Sequence, residues 1–282
     1  MSWPEFQHEA MATAFAIVIA DHDREYARQA AAACFLELDR LESELSRYVE
    51  SSDIARANRI LRGETIAIGD DTLQCLLLAA EVAVVTHRAF DAAYATRRGP
   101  GDAPDAPAFT LDPSAHTLTS HVERLHLDLG AVGKGYALDR MAEKLGEWAI
   151  TTACLHGGGS TALALDPPAG GMGWSVGIGE GATHRLLTLR RAALSGSGLA
   201  VQGEHITDPR AGAIPSRRGR TWALASEAGL SDALSTAFFV SSGAEIARFC
   251  ALHPEIGAAW CEPDGPLVAC GALIPLLPAV GS

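Results

Sequence analysis

Four short strings hold most of the side chains that could do chemistry. In Asp128-Leu-Gly-Ala-Val-Gly-Lys134-Gly-Tyr-Ala-Leu-Asp139, a carboxylate precedes a glycine-rich turn and a lysine. The N–H groups of such a turn, and of a helix starting near Lys134, can hold phosphate oxygens, and Lys134 adds a cation at that end. The string is not a P-loop, because the GxxxxGK[ST] frame is absent. A tight strand-to-helix turn with a surface lysine reads it equally well. In Ser231-Asp232-Ala-Leu-Ser-Thr236, residues 232 and 236 are four apart and share one helix face. A carboxylate and a hydroxyl are hard oxygen ligands of the kind Mg²⁺ takes alongside water and phosphate oxygens. Plain capping of a helix by Ser231 and Asp232 is the simpler reading of the motif alone.

In His205-Ile206-Thr-Asp208-Pro-Arg-Ala-Gly212 the composition is that of a turn. His205 could act there as a general base or simply bond the neighbouring backbone. The fourth string, His156-Gly157-Gly158-Gly159-Ser160, resembles the oxyanion loop of lipases and raises a serine hydrolase as a rival. That reading also needs a Gly-x-Ser-x-Gly elbow, and Leu194-Ser-Gly-Ser-Gly198 is out of frame for one.

The elements that must position these groups follow from apolar spacing. Ala14–Ile19 reads as a buried strand. A helix opens at Asp23 and ends near Tyr48, with Tyr26, Ala30, Cys34, Leu38, Leu41, Leu45 and Tyr48 on one stripe. Ser51-Ser52-Asp53 is a turn or a new helix cap. A second, well-buried helix covers Asp71–Arg88, and a Pro- and Gly-rich loop runs from Gly99 to Pro113. Residues 117–120 and 124–129 read as a hairpin, and a helix then runs to about Trp148. Strands are expected at 153–156, 173–178, 185–190 and 221–225. Ser231 caps a helix from Asp232 to about Val240, and another spans Ala244–Leu252. Strands and helices mix without regular βαβ alternation, which predicts an α+β fold.

The chain has 282 residues, enough for one large core, and is taken as a single domain over 1–282. Its formal net charge is −12, with no basic patch of the kind a nucleic-acid binder needs. Six cysteines lack paired spacing, which argues against structural zinc and fits free thiols in a reducing compartment. The apolar run Met11–Ala20 is preceded by Glu5 and Glu9, not by basic residues, so it does not resemble a signal peptide and is too short to span a bilayer. A cytoplasmic protein is the expectation.

Taken in order, these strings resemble the ApbE family, the FAD:protein FMN transferases, from about His8 to about Gly243. Met11-Ala-Thr-Ala-Phe15 is similar to the family's Met-Gly-Thr-x-Phe, and Ser46-Arg-Tyr48 through Asn58 to its Tyr-bearing, Ser-rich segment. Phe90-Asp91 matches a Phe-Asp pair. Asp128–Asp139, His205–Gly212 and Asp232–Val240 match three longer motifs with few changes. The resemblance implies mixed sheets with flanking helices around a central FAD cleft. It implies Mg²⁺ held by Asp232, Thr236 and a main-chain oxygen near Ala131, and flavin stacking by Tyr48. Further FAD contacts are implied around Lys134 and Asp128, at Met11, Phe90 and Asp91, and at Gly158, Ser195, Gly196, His205 and Ile206. Catalytic roles fall to His205 and Asp232. The implied reaction moves FMN from FAD to a Thr or Ser hydroxyl of an acceptor protein and releases AMP. FAD binding alone, or FAD hydrolysis, are the alternatives on the same scaffold. Ser160 stands where the family has Asp or Asn, Ala12 where it has Gly, and Thr207 where it has an apolar residue. The segment between Gly196 and His205 is short and carries no aromatic, which leaves the acceptor side of the cleft more open.

Overall fold

The computed structural model describes residues 3–96, 106–198, 207–212, 219–263 and 265–277. The sequence opens with a hairpin, β1 (Glu5–Ala10) and β2 (Thr13–Ile19), joined by Met11 and Ala12 alone. Both joining residues have positive φ, 51° and 58°, as a primed two-residue turn requires. Neither is glycine, so each bears a left-handed cost of about 1–2 kcal/mol. The Met11 N–H offsets part of it by donating to Glu42 Oε1 at 2.8 Å.

Glu42 belongs to α1 (Arg24–Leu45), which Asp23 caps through the N–H groups of Glu25 and Tyr26. The expected stripe is buried from Ala30 to Leu45, but Tyr26 and Tyr48 at its ends are exposed, and the helix stops at Leu45, short of Tyr48. Ser52 then caps α2 (Asp53–Ala57) by accepting from the Ala55 N–H at 2.9 Å. Next come β3 (Thr65–Ala67), α3 (Asp70–Val85), β4 (Phe109–Asp112) and β5 (Thr117–Ser120). The second half holds α4 (Gly133–Glu147), β6 (Ala153–Gly157), β7 (Thr161–Ala164), β8 (Trp174–Ile178), β9 (Arg185–Leu189) and β10 (Ala192–Gly198). It closes with β11 (Arg220–Ala225), α5 (Ala228–Val240), α6 (Gly243–Leu252), β12 (Gly257–Cys261) and β13 (Val268–Gly271).

Eight antiparallel strands form the main sheet in the order β1-β2-β6-β7-β10-β11-β12-β13. Strand alternation gives it two different faces. Phe15, Ile17, Leu155, Leu163, Ala193 and Ala223 meet the helices on one face, with α5 central and buried along most of its length. Cys154, Ala162, Leu194, Trp222 and Leu224 meet the β8–β9 hairpin on the other. The three-stranded sheet β3-β5-β4 stands apart. The result is a mixed α+β fold.

Two expectations are corrected. Residues 124–129 do not pair with β5, which instead pairs with β3 and β4, so the end of the expected Gly99–Pro113 loop is a strand. Side chains and a neighbouring loop satisfy the 124–129 backbone. The Asn58 carboxamide brackets Leu127, accepting from its N–H at 2.6 Å and donating to its carbonyl at 2.9 Å. Asp128 N–H donates to Ala92 O at 2.9 Å. The second correction concerns α5, which begins at Ala228, a full turn before Asp232. Ser231 does not cap it but donates to Ala223 O at 2.8 Å.

Candidate active site

The cap of α5 comes from another element. Asp139, at the end of the Asp128–Asp139 string, accepts from the N–H groups of Ala228 and Gly229, both at 2.8 Å. Burial pushes its carboxyl up to about 7, while the two N–H donors work the other way. One turn earlier on α4, Gly135 lies so close to α5 that a Cβ there would stand 2.1 Å from Ala228 O. Its N–H donates to Asp232 Oδ2 at 3.2 Å. Tyr136 donates to Asp71 Oδ1 at 2.7 Å and fixes α4 against α3. The string thus locks α4 to α5 at a separation that only glycine permits.

Asp232 is the polar centre of this contact and is 4% exposed. Lys134 Nζ reaches its Oδ2 at 3.4 Å and also donates to Gly130 O at 3.0 Å. Thr161 Oγ1 approaches its Oδ1 at 3.4 Å from β7. All three contacts to Asp232 are long, so the carboxylate is crowded by donors and gripped tightly by none of them. Thr236, one turn on, shares a bond with Ser197 Oγ at 3.2 Å, and Ser197 also meets Ser235 Oγ at 2.8 Å. Thr161, Ser195 and Ser197 sit at alternate positions of β7 and β10 on the helix-facing side of the sheet. They form a polar strip inside an otherwise apolar layer. Ser195 is fully buried and donates to Thr161 Oγ1 at 3.2 Å, so it supports the strip from behind.

Two cavities flank this strip and share the wall Gly158–Ser160. The first, of about 530 Å³, lies on the α1–α4 side and is lined by Met11, Arg47, Tyr48, Asp128, Gly130 and Lys134. The Tyr48 ring is 79% exposed, and the Arg47 guanidinium lies 4.4 Å from its centroid. Arg47 also pairs with Asp128 Oδ2 at 3.2 Å, and Asp128 Oδ1 accepts from the Gly130 N–H at 2.9 Å, which shapes the turn. The second cavity, of about 510 Å³, lies on the β8 side and includes His156, Gly196, Ser197 and Trp222. Burial lowers the His156 pKa, which leaves the imidazole neutral at neutral pH. Gly158 has φ +57°, and a Cβ there would meet Thr13 Oγ1 at 2.7 Å. The shared wall therefore needs glycine at this point.

The chain matches the ApbE family over residues 11–260. It belongs to that family. No curated protein sequence matches it. Among solved structures, the flavin transferase ApbE from Vibrio cholerae is similar at 20% identity and TM-score 0.79, covering 98% of this chain and 100% of that one. The apo flavinyl transferase ApbE of Pseudomonas stutzeri is similar at 18% identity and TM-score 0.83, covering 98% and 96%. The ApbE protein of Thermotoga maritima is similar at 20% identity and TM-score 0.81, covering 98% and 99%. These likenesses show that the fold is the ApbE fold.

The residues expected to act together in this ApbE chain do not all share one place. Met11, Tyr48, Asp128, Lys134 and Gly158 line the first cavity, and Gly196 lines the second. Asp232 and Thr236 lie at the strip, with Ser195 behind it. Ala131 is in the turn between Asp128 and α4, packed against the core. Phe90 and Asp91 line neither of the two cavities. Phe90 is buried, and Asp91 pairs with Arg88 at 2.5 Å, beside the segment whose Ala92 carbonyl holds Asp128. Their place is behind the turn. His205 and Ile206 lie outside the described residues. The serine hydrolase reading finds no Ser–His hydrogen bond among the described residues.

Sequence reasoning missed Arg47, Thr161 and Ser197. Arg47 was visible beside Tyr48, where an arginine next to an exposed aromatic is a recurrent stacking pair. Thr161 and Ser197 had only their polarity within small-residue strands to mark them. Among the described residues no three His, Cys, Asp or Glu side chains cluster as a metal site. No helix among them is long and apolar enough to cross a membrane.

Proposed function

We propose that this ApbE-family chain is a flavin transferase that splits FAD, passes its FMN half to a Thr or Ser hydroxyl of an acceptor protein and releases AMP. The observation that carries the reading is the convergence of Lys134, the Gly135 N–H and Thr161 on Asp232, one turn before Thr236, with Lys134 lining one cavity and Thr161 the other. A two-substrate reaction needs room on both sides of one reacting phosphorus, and this arrangement offers it.

The first cavity suits the flavin. Tyr48 presents an exposed ring, Arg47 braces it, and Met11 adds an apolar side. Lys134 and the start of α4 suit the pyrophosphate, as cations and helix N-termini do elsewhere. Asp232 and Thr236 supply one carboxylate and one hydroxyl, to which the Ala131 carbonyl is added by family resemblance. Hard oxygens with a single carboxylate are the donor set Mg²⁺ takes when substrate phosphates complete its shell. When bound there, Mg²⁺ would neutralise charge on the pyrophosphate oxygens.

In the transfer, the acceptor Oγ attacks the FMN phosphorus and a new P–O bond forms. The P–O bond to the bridging oxygen breaks, and its electron pair leaves with AMP. The hydroxyl proton goes to a base, assigned to His205 by resemblance. Lys134 holds charge at the leaving side, and the Gly135 N–H keeps Asp232 oriented. The strip from Thr161 to Ser197 keeps Thr236 in place.

The test is to incubate the chain with FAD, Mg²⁺ and candidate acceptors, then measure AMP and covalent FMN separately. Transfer yields both in equal amounts. AMP without covalent FMN in every case means hydrolysis, and intact FAD that stays bound in EDTA means binding alone.

A further inference from the structure

We infer that the acceptor segment docks as an added β-strand along the open edge of β8, in the second cavity; this rests on the transfer reading above. Strand β8 pairs only with β9, so its other edge offers main-chain N–H and C=O groups with no strand partner among the described residues. An open edge is a ready template for an extended segment. Ser175, Val176 and Gly177 all line the cavity. Side chains of consecutive strand residues point to opposite faces, so three in a row on one wall mean that the cavity follows the edge of the strand.

The facing wall is the outer side of the main sheet, where Ala16, Ala162 and Gly196 leave a shallow floor. At Gly196 the floor is fixed, since a Cβ there would lie 2.9 Å from the Trp222 indole. One end of the cavity is the Gly158–Ser160 wall shared with the first cavity, beside Thr161 and Ser197, the sheet-side partners of Asp232 and Thr236. An added strand of three or four residues spans roughly 10–13 Å and can bring a hydroxyl to that end. The charges on this side do not suit a phosphate. The Arg220 guanidinium is taken by Glu180 at 2.5 Å, and the buried His156 is neutral. The lining offers main chain and the apolar surfaces of Val18, Leu194 and Trp222 for recognition, with Glu5 as a further anion. The occupant is therefore an extended Thr- or Ser-bearing segment, which takes the wall at Gly196 that the family resemblance gives to FAD, and the adenosine phosphate half of FAD belongs elsewhere.

Two measurements on the full chain test this, with FAD, Mg²⁺ and a panel of ten-residue peptides that each carry one central threonine. Residue-resolved amide exchange should slow at least tenfold at alternate residues of β8 when peptide is added, and not when FAD alone is added. Proline placed separately at Ser175 and at Val176 removes N–H groups that point to opposite edges. The variant facing the open edge should stay folded by circular dichroism and keep its FAD affinity while its peptide KM rises at least tenfold. Slowing of β8 amides by FAD alone would give the cavity to FAD and overturn the proposal. So would peptide flavinylation with β8 exchange unchanged, or two folded proline variants with normal KM. Slowed β8 exchange without flavinylation would uphold the docking and count against the transfer reading.

Discussion

Replacing Gly135 by alanine tests whether the α4–α5 contact sets the catalytic geometry. The added Cβ would lie 2.1 Å from Ala228 O, 2.5 Å from Ala228 C and 2.8 Å from Gly229 Cα. All three are backbone atoms of the α5 first turn, pinned by Asp139, so no flexible side chain can give way. An ordinary contact begins near 3.4 Å, and the helices must separate by about 1 Å. Overpacking of this kind costs about 1–3 kcal/mol. For a chain of this size each kcal/mol lowers Tm by about 2–4 °C. The shift also carries Asp232 away from Lys134 and the Gly135 N–H. A misplacement of about 1 Å in a positioned site can cost 10²-fold in rate. Gly135→Ala should therefore fold with a lower Tm by calorimetry and lose about two orders of magnitude in kcat for AMP release. Wild-type Tm and kcat together would refute the reasoning, because they would mean that the helices are not held at this separation.

Further outcomes follow from other contacts. Ala12→Gly removes a left-handed alanine and should stabilise the protein by about 1 kcal/mol in denaturant titration, with activity unchanged. Asp139 has a folded pKa of about 7 against its ordinary 3.8, so the folded state binds the extra proton and stability from this group falls as pH rises between those values. Asp139→Asn should flatten that part of the stability–pH curve. Arg47→Ala removes the cation over Tyr48 and the Asp128 pair, and should weaken FAD binding about 3–10-fold in fluorescence titration.

Much of the fold is legible in the sequence wherever one residue type decides. Asp23 and Ser52 cap helices as expected, and the stripe from Ala30 to Leu45 is buried. The strands at 14–19, 153–156 and 221–225 are present because their apolar runs match sheet burial. Strands β10 and β12 are built largely from Ala, Gly and Ser and give no alternation that period alone can read. The error over 124–129 has a local cause. A side-chain carboxamide, Asn58, does the work of a neighbouring strand, and no periodic signal reports that. Helix α5 starts ahead of Ser231, the cap its local sequence suggests, because its cap comes from Asp139 on another helix. The Asp128–Asp139 string reads in the sequence as a candidate phosphate turn or a plain strand-to-helix turn, but its packing role, holding α4 against α5, depends on a contact between residues far apart in the chain. Asp232 is legible in the sequence as a candidate metal ligand, but its burial within α5 is not.

The most direct measurement of the central claim is intact-protein mass spectrometry of an acceptor after incubation with the wild-type chain or Asp232→Ala, with FAD and either Mg²⁺ or EDTA. The account predicts covalent FMN on the acceptor only with wild type and Mg²⁺, and a folded but inactive Asp232→Ala by circular dichroism. Covalent FMN formed equally by Asp232→Ala, or equally in EDTA, would contradict it.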